Sequence, residues 1–253
     1  MEKAPKKPTL KNHKPILAKK WQKTCCAVGL MTIWVFCSVV ASQLLLGFLM
    51  VWLLGAETLS QPIWSGVYSV LSYTLALVLI VFVPPRIKAK WQTSREQLGL
   101  NGTPTWTDIG LAPVGFIVGT VFAIVLAWVF SFFPWFNAEE VQDVGFSIYM
   151  NGGEKILAFL VLVVLAPVME ELIFRGWLYG RLRARLNMPV AIIITSLLFA
   201  IMHFQWNVGV NVFALSVVLC GLREITGTIY AGILTHMIKN GVAFYLLYVL
   251  GIG

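Results

Sequence analysis

The chain has 253 residues, of which 58% are apolar and only 12% are charged. Soluble domains carry about 25% charged and about 45–50% apolar residues, so this composition excludes an ordinary soluble domain. The excess of apolar residues lies in runs of about 20, the length that crosses a bilayer core. We therefore predict an all-α fold, a polytopic bundle of transmembrane helices. The four cysteines lack the spacing of a metal site or a disulfide framework.

The first 24 residues form a basic tail that we expect to be disordered and cytoplasmic. The tail holds eight lysines against the single acid Glu2, which accounts for much of the formal net charge of +8. Such a run can be an arm that binds nucleic acid. Because an apolar span follows it at once, an anchor for membrane topology is favoured, and no nucleic-acid partner is expected.

The apolar pattern predicts about seven membrane spans, in two regions. Residues 25–153 hold the first three spans with their loops, and residues 154–253 form the helical core that carries the chemistry. The spans cover 27–54, 64–83, 109–133, a run from 155 past the paired glutamates, 189–203, 210–222 and 228–250. Two prolines at 84–85 are expected to end the second span, and a short interfacial helix is placed near 146–150.

The loops alternate in charge. The connections after spans 2, 4 and 6 carry arginine or lysine, whereas those after spans 1 and 3 are acidic. This positive-inside pattern predicts a cytoplasmic N-terminus. Lys239 is the outlier, near the middle of the last span. Gly115 and Gly119 in span 3 have the spacing of a close helix contact, although two unrelated glycines fit equally well.

Glu170 and Glu171 are the residues most costly to place in a membrane, since they end the apolar run 156–169. Each ionisable group at bilayer depth costs about 2.5–3.5 kcal/mol and is rarely retained without a partner or a task. Glu171 has Arg175 at i+4, the favourable orientation for an ion pair. Glu170 has no such partner on its own helix. We therefore assign Glu170 to the chemistry and Glu171 to a structural or supporting role.

Pro167 lies just before the two glutamates. It frees the carbonyl of Val163 from its helical hydrogen bond, and we expect it to kink the helix and open a polar cavity.

His203, His236 and Asn240 can reach the level of Glu170. If spans 4 and 5 form an antiparallel hairpin, Glu170 and His203 lie roughly 24 and 22 Å from its turn at 1.5 Å per residue. His236 and Asn240 are one helical turn apart. This layer can activate water for peptide-bond hydrolysis: Glu170 as general base, His203 orienting the water, and His236 with Asn240 stabilising the oxyanion.

Three motifs resemble those of the CPBP group of intramembrane proteases, which comprises CAAX prenyl endopeptidases of the Ras-converting-enzyme type and bacterial Abi relatives. They are Glu-Glu-x-x-x-Arg at Glu170–Arg175, Phe-x-x-x-His at Phe199–His203 and His-x-x-x-Asn at His236–Asn240. The resemblance covers residues 155–250. It implies that Glu170 activates water with help from His203, while His236 and Asn240 bind the oxyanion. Arg175 and Phe199 give structural support.

The use of a metal stays open at this point. Members of the group are often labelled metalloproteases, but the chain has no His-Glu-x-x-His, and adjacent glutamates cannot easily ligate one ion from a regular helix. We favour a reaction that needs no cofactor. A zinc site formed by Glu170, His203 and His236 is the alternative.

The short chain and plain basic tail look more like a bacterial Abi-type member than a processor of prenylated proteins. The resemblance then implies a multi-pass protein of the bacterial plasma membrane, surrounded by lipids, that acts on membrane-associated proteins or peptides. A different hypothesis is a non-catalytic scaffold or bacteriocin-immunity protein that uses the same cavity for binding. A proton-coupled transporter is less well supported, because the two halves show no internal repeat.

Overall fold

The computed structural model of the chain describes residues 14–87, 93–140, 145–147 and 149–251. These residues form eight helices and no strand, which confirms the all-α prediction. The helices are α1 (Lys14–Leu54), α2 (Ala56–Leu59), α3 (Pro62–Ile87), α4 (Trp106–Phe130), α5 (Gly152–Arg183), α6 (Met188–Ile201), α7 (Trp206–Thr226) and α8 (Tyr230–Phe244). A π-helical segment, Tyr245–Val249, continues α8.

Five of these helices are long and apolar enough to cross a membrane, namely α1 from Trp21 onward, α3, α4, α5 and α7. Helix α6 is apolar but has only 14 residues. It is roughly 21 Å long at 1.5 Å per residue, against about 30 Å of hydrocarbon. Helix α8 carries His236, Lys239 and Asn240, which lower its hydropathy, and it is not one of the five. The protein is thus a helical membrane bundle in which two of the seven predicted spans are shorter or more polar.

Three local predictions were wrong. Helix α1 begins at Lys14, so residues 14–24 are helical rather than disordered, while residues 1–13 lie outside the described residues. Helix α3 runs through Pro84 and Pro85 to Ile87, because the φ angle of proline is itself helical. No helix is present in residues 145–147 and 149–150 of the predicted interfacial segment; residue 148 lies outside the described residues.

Gly115 and Gly119 bring α4 close to α7 and α8. A Cβ atom added at Gly115 would lie 2.8 Å from the side chain of Leu222 and 2.9 Å from that of Thr235. The hydroxyl of Thr235 donates a hydrogen bond to the carbonyl of Ala112 at 3.1 Å. The structure therefore supports the first of the two interpretations of these glycines, a close helix contact.

One end of the bundle is held together around the loop 93–102. Arg223, near the end of α7, donates hydrogen bonds to the carbonyls of Gln97 and Leu98 at 2.8 and 3.0 Å. The amide of Ile229 donates to the carbonyl of Gly99 at 3.0 Å. We call this the basic end, since it holds a group of arginines: Arg95, Arg181, Arg183, Arg185 and Arg223.

The opposite end is built around the loop between α4 and α5. Asn207 donates a hydrogen bond to the carbonyl of Glu140 at 2.7 Å, and the hydroxyl of Tyr248 donates to the carbonyl of Phe146 at 3.2 Å. Lys155 donates to the carbonyl of Tyr248 at 2.9 Å. We call this the acidic end, since its described carboxylates are Glu57, Glu139, Glu140 and Glu154.

Candidate active site

Helix α5 is widened on both sides of the paired glutamates. The π-helical segments Leu160–Leu165 and Leu172–Tyr179 flank the α-helical stretch Ala166–Glu171. π-Helical turns mark functional sites more often than ordinary helix does, because they change which side chains face a given direction.

Pro167 and Asn240 are connected through the first of these π segments. A π-helical amide bonds to the carbonyl five residues earlier, and Pro167 has no amide hydrogen, so the carbonyl of Leu162 loses its partner. Asn240 of α8 donates its side-chain amide to that carbonyl at 2.9 Å. The freed carbonyl lies one residue before the predicted Val163, because the turn is π-helical rather than α-helical.

The imidazole of His236 lies between the two glutamates. Its Nδ1 is 3.2 Å from Oε1 of Glu171, and its Nε2 is 3.7 Å from Oε2 of Glu170. The first contact is a hydrogen bond, and the second is within ion-pair range only. The side chain of Glu171 is fully buried, whereas that of Glu170 is 15% exposed. Adjacent glutamates on one helix thus reach opposite nitrogens of the same ring.

The predicted ion pair between Glu171 and Arg175 is present. Nη1 of Arg175 donates to Oε1 of Glu171 at 2.8 Å, and both side chains are completely buried. The guanidinium of Arg175 also lies over the ring of Phe199, 4.5 Å from its centroid. A Cβ atom at Gly232 would lie 3.1 Å from Oε2 of Glu171, so this glycine lets α8 approach the pair.

Phe199 packs against both histidines. Its ring meets those of His203 and His236 edge-on, with centroids 5.0 and 6.0 Å apart. Nδ1 of His203 is 2.9 Å from the carbonyl oxygen of Phe199. Since a carbonyl can only accept, Nδ1 carries the donated hydrogen, and Nε2 of His203 is left for water or substrate.

Two residues of the site were missed. The hydroxyl of Tyr73, on α3, donates a hydrogen bond to Oε1 of Glu170 at 2.5 Å. Lys239, on α8, lines the same cavity as Glu170 and His203. The position of Lys239 inside an apolar span was a signal for such a role. Tyr73 offered none, because a single tyrosine in an aromatic-rich membrane helix is unremarkable.

A cavity of about 1070 Å³ opens onto this constellation. Its polar lining near the glutamate consists of Tyr73, Glu170, His203, His236, Lys239 and Asn240. Glu171 and Arg175 do not line it. A molecule in the cavity can therefore touch Glu170 but not the ion pair behind it.

The described part of the chain contains no assembled set of ligands for the alternative zinc site. No three histidine, cysteine, aspartate or glutamate side chains there are grouped so that they could hold a metal ion. Glu170, His203 and His236 line one cavity, but the imidazole of His236 is oriented by carboxylates on its two sides. We derive no step through a metal.

Comparison with protein families matches residues 152–242 to the type II CAAX prenyl endopeptidase Rce1-like family. This part of the chain is similar to the Rce1-like family. The match begins with α5 and ends within α8, and it contains all three motifs. Protease activity is what similarity to this family implies. Neither the curated proteins nor the solved structures gave a match.

Proposed function

We propose that the protein is an intramembrane endopeptidase that hydrolyses peptide bonds of membrane-associated proteins or peptides. The observation that carries this proposal is the unequal placement of two adjacent glutamates. Glu170 lines an open cavity beside two histidines, whereas Glu171 is sealed in a buried ion pair. The cavity, about 1070 Å³, exceeds the roughly 300–1,000 Å³ of pockets for drug-sized ligands, so it has room for several residues of a peptide.

Glu170 is the general base of the proposed reaction. It takes a proton from a water molecule while the water oxygen bonds to the carbonyl carbon of the substrate. Tyr73 holds Oε1 of Glu170 and so fixes the carboxylate, leaving Oε2 to face the cavity and His236. His203 orients the water through its available Nε2. When the carbon–nitrogen bond breaks, the protonated Glu170 returns the proton to the leaving amine.

The oxyanion is stabilised by His236 and Asn240. Because a carboxylate only accepts, Nδ1–H of His236 donates to Glu171, which fixes the ring. The ring then stabilises the oxyanion in the form that carries a hydrogen on Nε2 as well, from which it donates to the developing charge. Asn240 uses one amide hydrogen on the Leu162 carbonyl, and its second amide hydrogen is available for the oxyanion. The same residues support the resemblance to the CPBP group.

The experiment is a comparison of peptide termini in membranes from cells that carry the wild type, Glu170→Gln or Glu57→Gln at matched abundance. Glu57 lies on the short exposed helix α2, away from the cavity lining, and serves as the control. We expect new termini with the wild type and the control only. Peptides spanning those termini are then incubated with each purified protein, before and after dialysis against a metal chelator.

Turnover by purified Glu170→Gln would overturn the assignment of the base. Identical termini in all three membranes, with no cleavage of a peptide library by the purified wild type, would favour the non-catalytic scaffold or immunity hypothesis. Activity lost on chelation and restored by zinc would overturn the reaction without a metal. On its basic loops and tail, we place the N-terminus in the cytoplasm. On the resemblance to bacterial Abi-type members, we place the protein in a bacterial plasma membrane.

A further inference from the structure

Helix α8 carries His236 and Asn240, but its own sequence does not hold its start in place. The first amides of a helix have no partner within the helix, and a side chain at the N-cap commonly accepts from them. The N-cap residue of α8 is Ile229, whose side chain makes no such bond. His236 and Asn240 lie roughly 9 and 15 Å along the helix from Tyr230, the first residue of α8. The position of the helix start therefore sets their depth in the bundle.

Asp108, a buried residue in the first turn of α4, holds the start of α8 from outside. Its Oδ2 accepts hydrogen bonds from the amide and the hydroxyl of Thr105 at 2.8 and 2.7 Å, as part of the capping box of α4. Its Oδ1 accepts from the hydroxyl of Thr228, just before α8, at 3.2 Å. The amide of Ala231, in the first turn of α8, also bonds to this carboxylate. One carboxylate thus holds the first turns of two helices, and its charge is favourable at both N-termini.

A second contact joins the same two helices one turn further along α4. The hydroxyl of Thr235 donates to the carbonyl of Ala112 at 3.1 Å. Thr235 directly precedes His236 and is completely buried. Gly115 leaves room for this contact, because a Cβ atom there would lie 2.9 Å from the hydroxyl oxygen of Thr235. Contacts at two separate points of α8 fix both its depth and its rotation relative to α4.

The depth of α8 matters where this helix meets α5. Nδ1 of His236 donates to Oε1 of Glu171 at 3.2 Å, which is at the long end of the range for such a bond. Successive residues of a helix differ in depth by about 1.5 Å, so a slip of α8 by less than one residue breaks this bond. The ring of His236 would then no longer be fixed between the two glutamates.

Asp108 and Thr228 are not part of the cavity lining, so neither touches a substrate there. Helix α4 also lies outside residues 152–242, the part that is similar to the Rce1-like family. We propose that Asp108 is a positioning residue for the oxyanion site: it fixes the depth of α8 through Thr228 and thereby holds His236 between the paired glutamates. The effect on hydrolysis rests on the proposed function, whereas the placement of His236 does not.

The experiment compares Asp108→Ala and Thr228→Val with the wild type, as purified full-length chains in detergent micelles. Thr228→Val keeps the shape of the side chain and removes the hydroxyl that bonds to Asp108. Thr228→Ser restores a hydroxyl at this position. Thr195→Val is the matched control, because Thr195 is a buried threonine whose hydroxyl bonds to the carbonyl of Ala191 within α6.

The first readout is the hydrogen on Nδ1 of His236, observed by NMR after selective isotopic labelling of histidine. The chain has three histidines, and His236→Gln identifies the signal. A hydrogen that is bonded to a buried carboxylate is protected from exchange with water. We expect slow exchange in the wild type, Thr228→Ser and Thr195→Val. We expect exchange roughly tenfold faster or more in Asp108→Ala and Thr228→Val.

The second readout is the hydrolysis of a peptide that the wild type cleaves. Displacing a group that acts in the transition state by about 1 Å can cost about a hundredfold in rate. We expect kcat to fall roughly ten- to hundredfold in Asp108→Ala and Thr228→Val, with KM nearly unchanged, because the oxyanion forms only during the reaction. Thr228→Ser is expected to recover most of the lost rate, and Thr195→Val to match the wild type.

Exchange in Asp108→Ala and Thr228→Val that is as slow as in the wild type would overturn the proposal. So would equally fast exchange in Thr195→Val, since the effect would then be a general loosening of the bundle. Should Asp108→Ala fail to fold, Thr228→Val and its rescue by Thr228→Ser decide alone.

Faster exchange with an unchanged kcat would overturn the link to the oxyanion site. If the exchange rates are as expected but the wild type cleaves no peptide, the proposed function fails. The placement of His236 by Asp108 then stands, so the two failures are distinguishable.

Discussion

Glu170 and Glu171 are identical side chains with different partners, and the partners set their proposed roles. Glu171 is bonded to Arg175 and His236 and has no access to the cavity. Glu170 meets the hydroxyl of Tyr73 on one oxygen and faces His236 with the other. The helical spacing of Arg175 predicted this difference correctly. The hydrogen bond from Tyr73 depends on the packing of α3 against α5. No pattern of neighbouring residues in the sequence predicts that packing.

Tyr73→Phe is expected to lower activity without unfolding the protein. The substitution removes a hydrogen bond to a carboxylate, an interaction worth about 1.5–3 kcal/mol, so a roughly ten- to hundredfold loss of kcat/KM follows if the bond positions Glu170 for catalysis. Tyr68→Phe is the matched control, since Tyr68 also lines the cavity but bonds to the carbonyl of Gln43. Equal rates for the two variants would show that Tyr73 does not position the base.

Glu171→Gln is expected to destabilise the bundle strongly. It leaves the charge of Arg175 buried without its partner, which costs about 3–5 kcal/mol in comparable buried pairs. Arg183→Gln, which breaks the partly exposed ion pair with Glu224, is expected to cost less than about 1 kcal/mol. Thermal unfolding in detergent micelles measures both. Normal stability of Glu171→Gln together with lost activity would reverse the roles assigned to the two glutamates.

At the scale of an element, helix α5 shows that motif spacing predicts the depth of the site residues in the bundle but not the π-helical segments. The spacing of Glu170, His203, His236 and Asn240 was enough to predict one shared layer, because helix lengths fix depth. The π-helical segments could not be predicted from the sequence. A π-helical turn can leave a backbone carbonyl without its helical partner, and the turn therefore depends on a donor from a neighbouring helix. Asn240 is the example: it was assigned to the oxyanion, and the structure adds its bond to Leu162.

Asn240→Ala and Pro167→Ala are expected to compensate each other. Asn240→Ala leaves the Leu162 carbonyl without a donor, at a cost of about 1–3 kcal/mol. Pro167→Ala restores an amide hydrogen next to that carbonyl, so Asn240→Ala costs less in this background. Chemical unfolding of the four proteins of the double-mutant cycle measures the coupling.

Asn211→Ala is the control for this cycle, because Asn211 bonds to the carbonyl of Asn207 within its own helix. Its effect is expected to add to that of Pro167→Ala. Additivity for Asn240→Ala as well would mean that the proline and the asparagine are not linked through Leu162.

At the scale of the whole molecule, the membrane bundle follows from hydropathy, but the site needs both halves of the chain. The Rce1-like match covers residues 152–242, whereas Tyr73 and much of the outer cavity wall come from α1 and α3. The sequence suggested that the first half shared only its apolar character with the resembled group. Apolar helices look alike in sequence, so their packing partners could not be predicted from composition.

Arg223→Met is expected to weaken the attachment of the loop 93–102 at the basic end and to leave residues 145–147 at the acidic end unchanged. Arg223 donates to two backbone carbonyls of the loop 93–102, and each bond from a charged donor is worth about 1.5–3 kcal/mol, so opening of that loop should increase roughly tenfold or more. Hydrogen exchange measures this as faster exchange of the amides of residues 98–100, with residues 145–147 unaffected.

Arg95→Met is the control, because Arg95 is an exposed arginine of the same loop. It is expected to leave exchange at both ends unchanged. Faster exchange at 145–147 in Arg223→Met would mean that the two ends are coupled through the bundle. The conformation of residues 145–147 would then depend on the contacts that hold the loop 93–102. Unchanged exchange everywhere would mean that the loop is held by its packing on α5, where Gln97 lies against Gly180, rather than by the guanidinium.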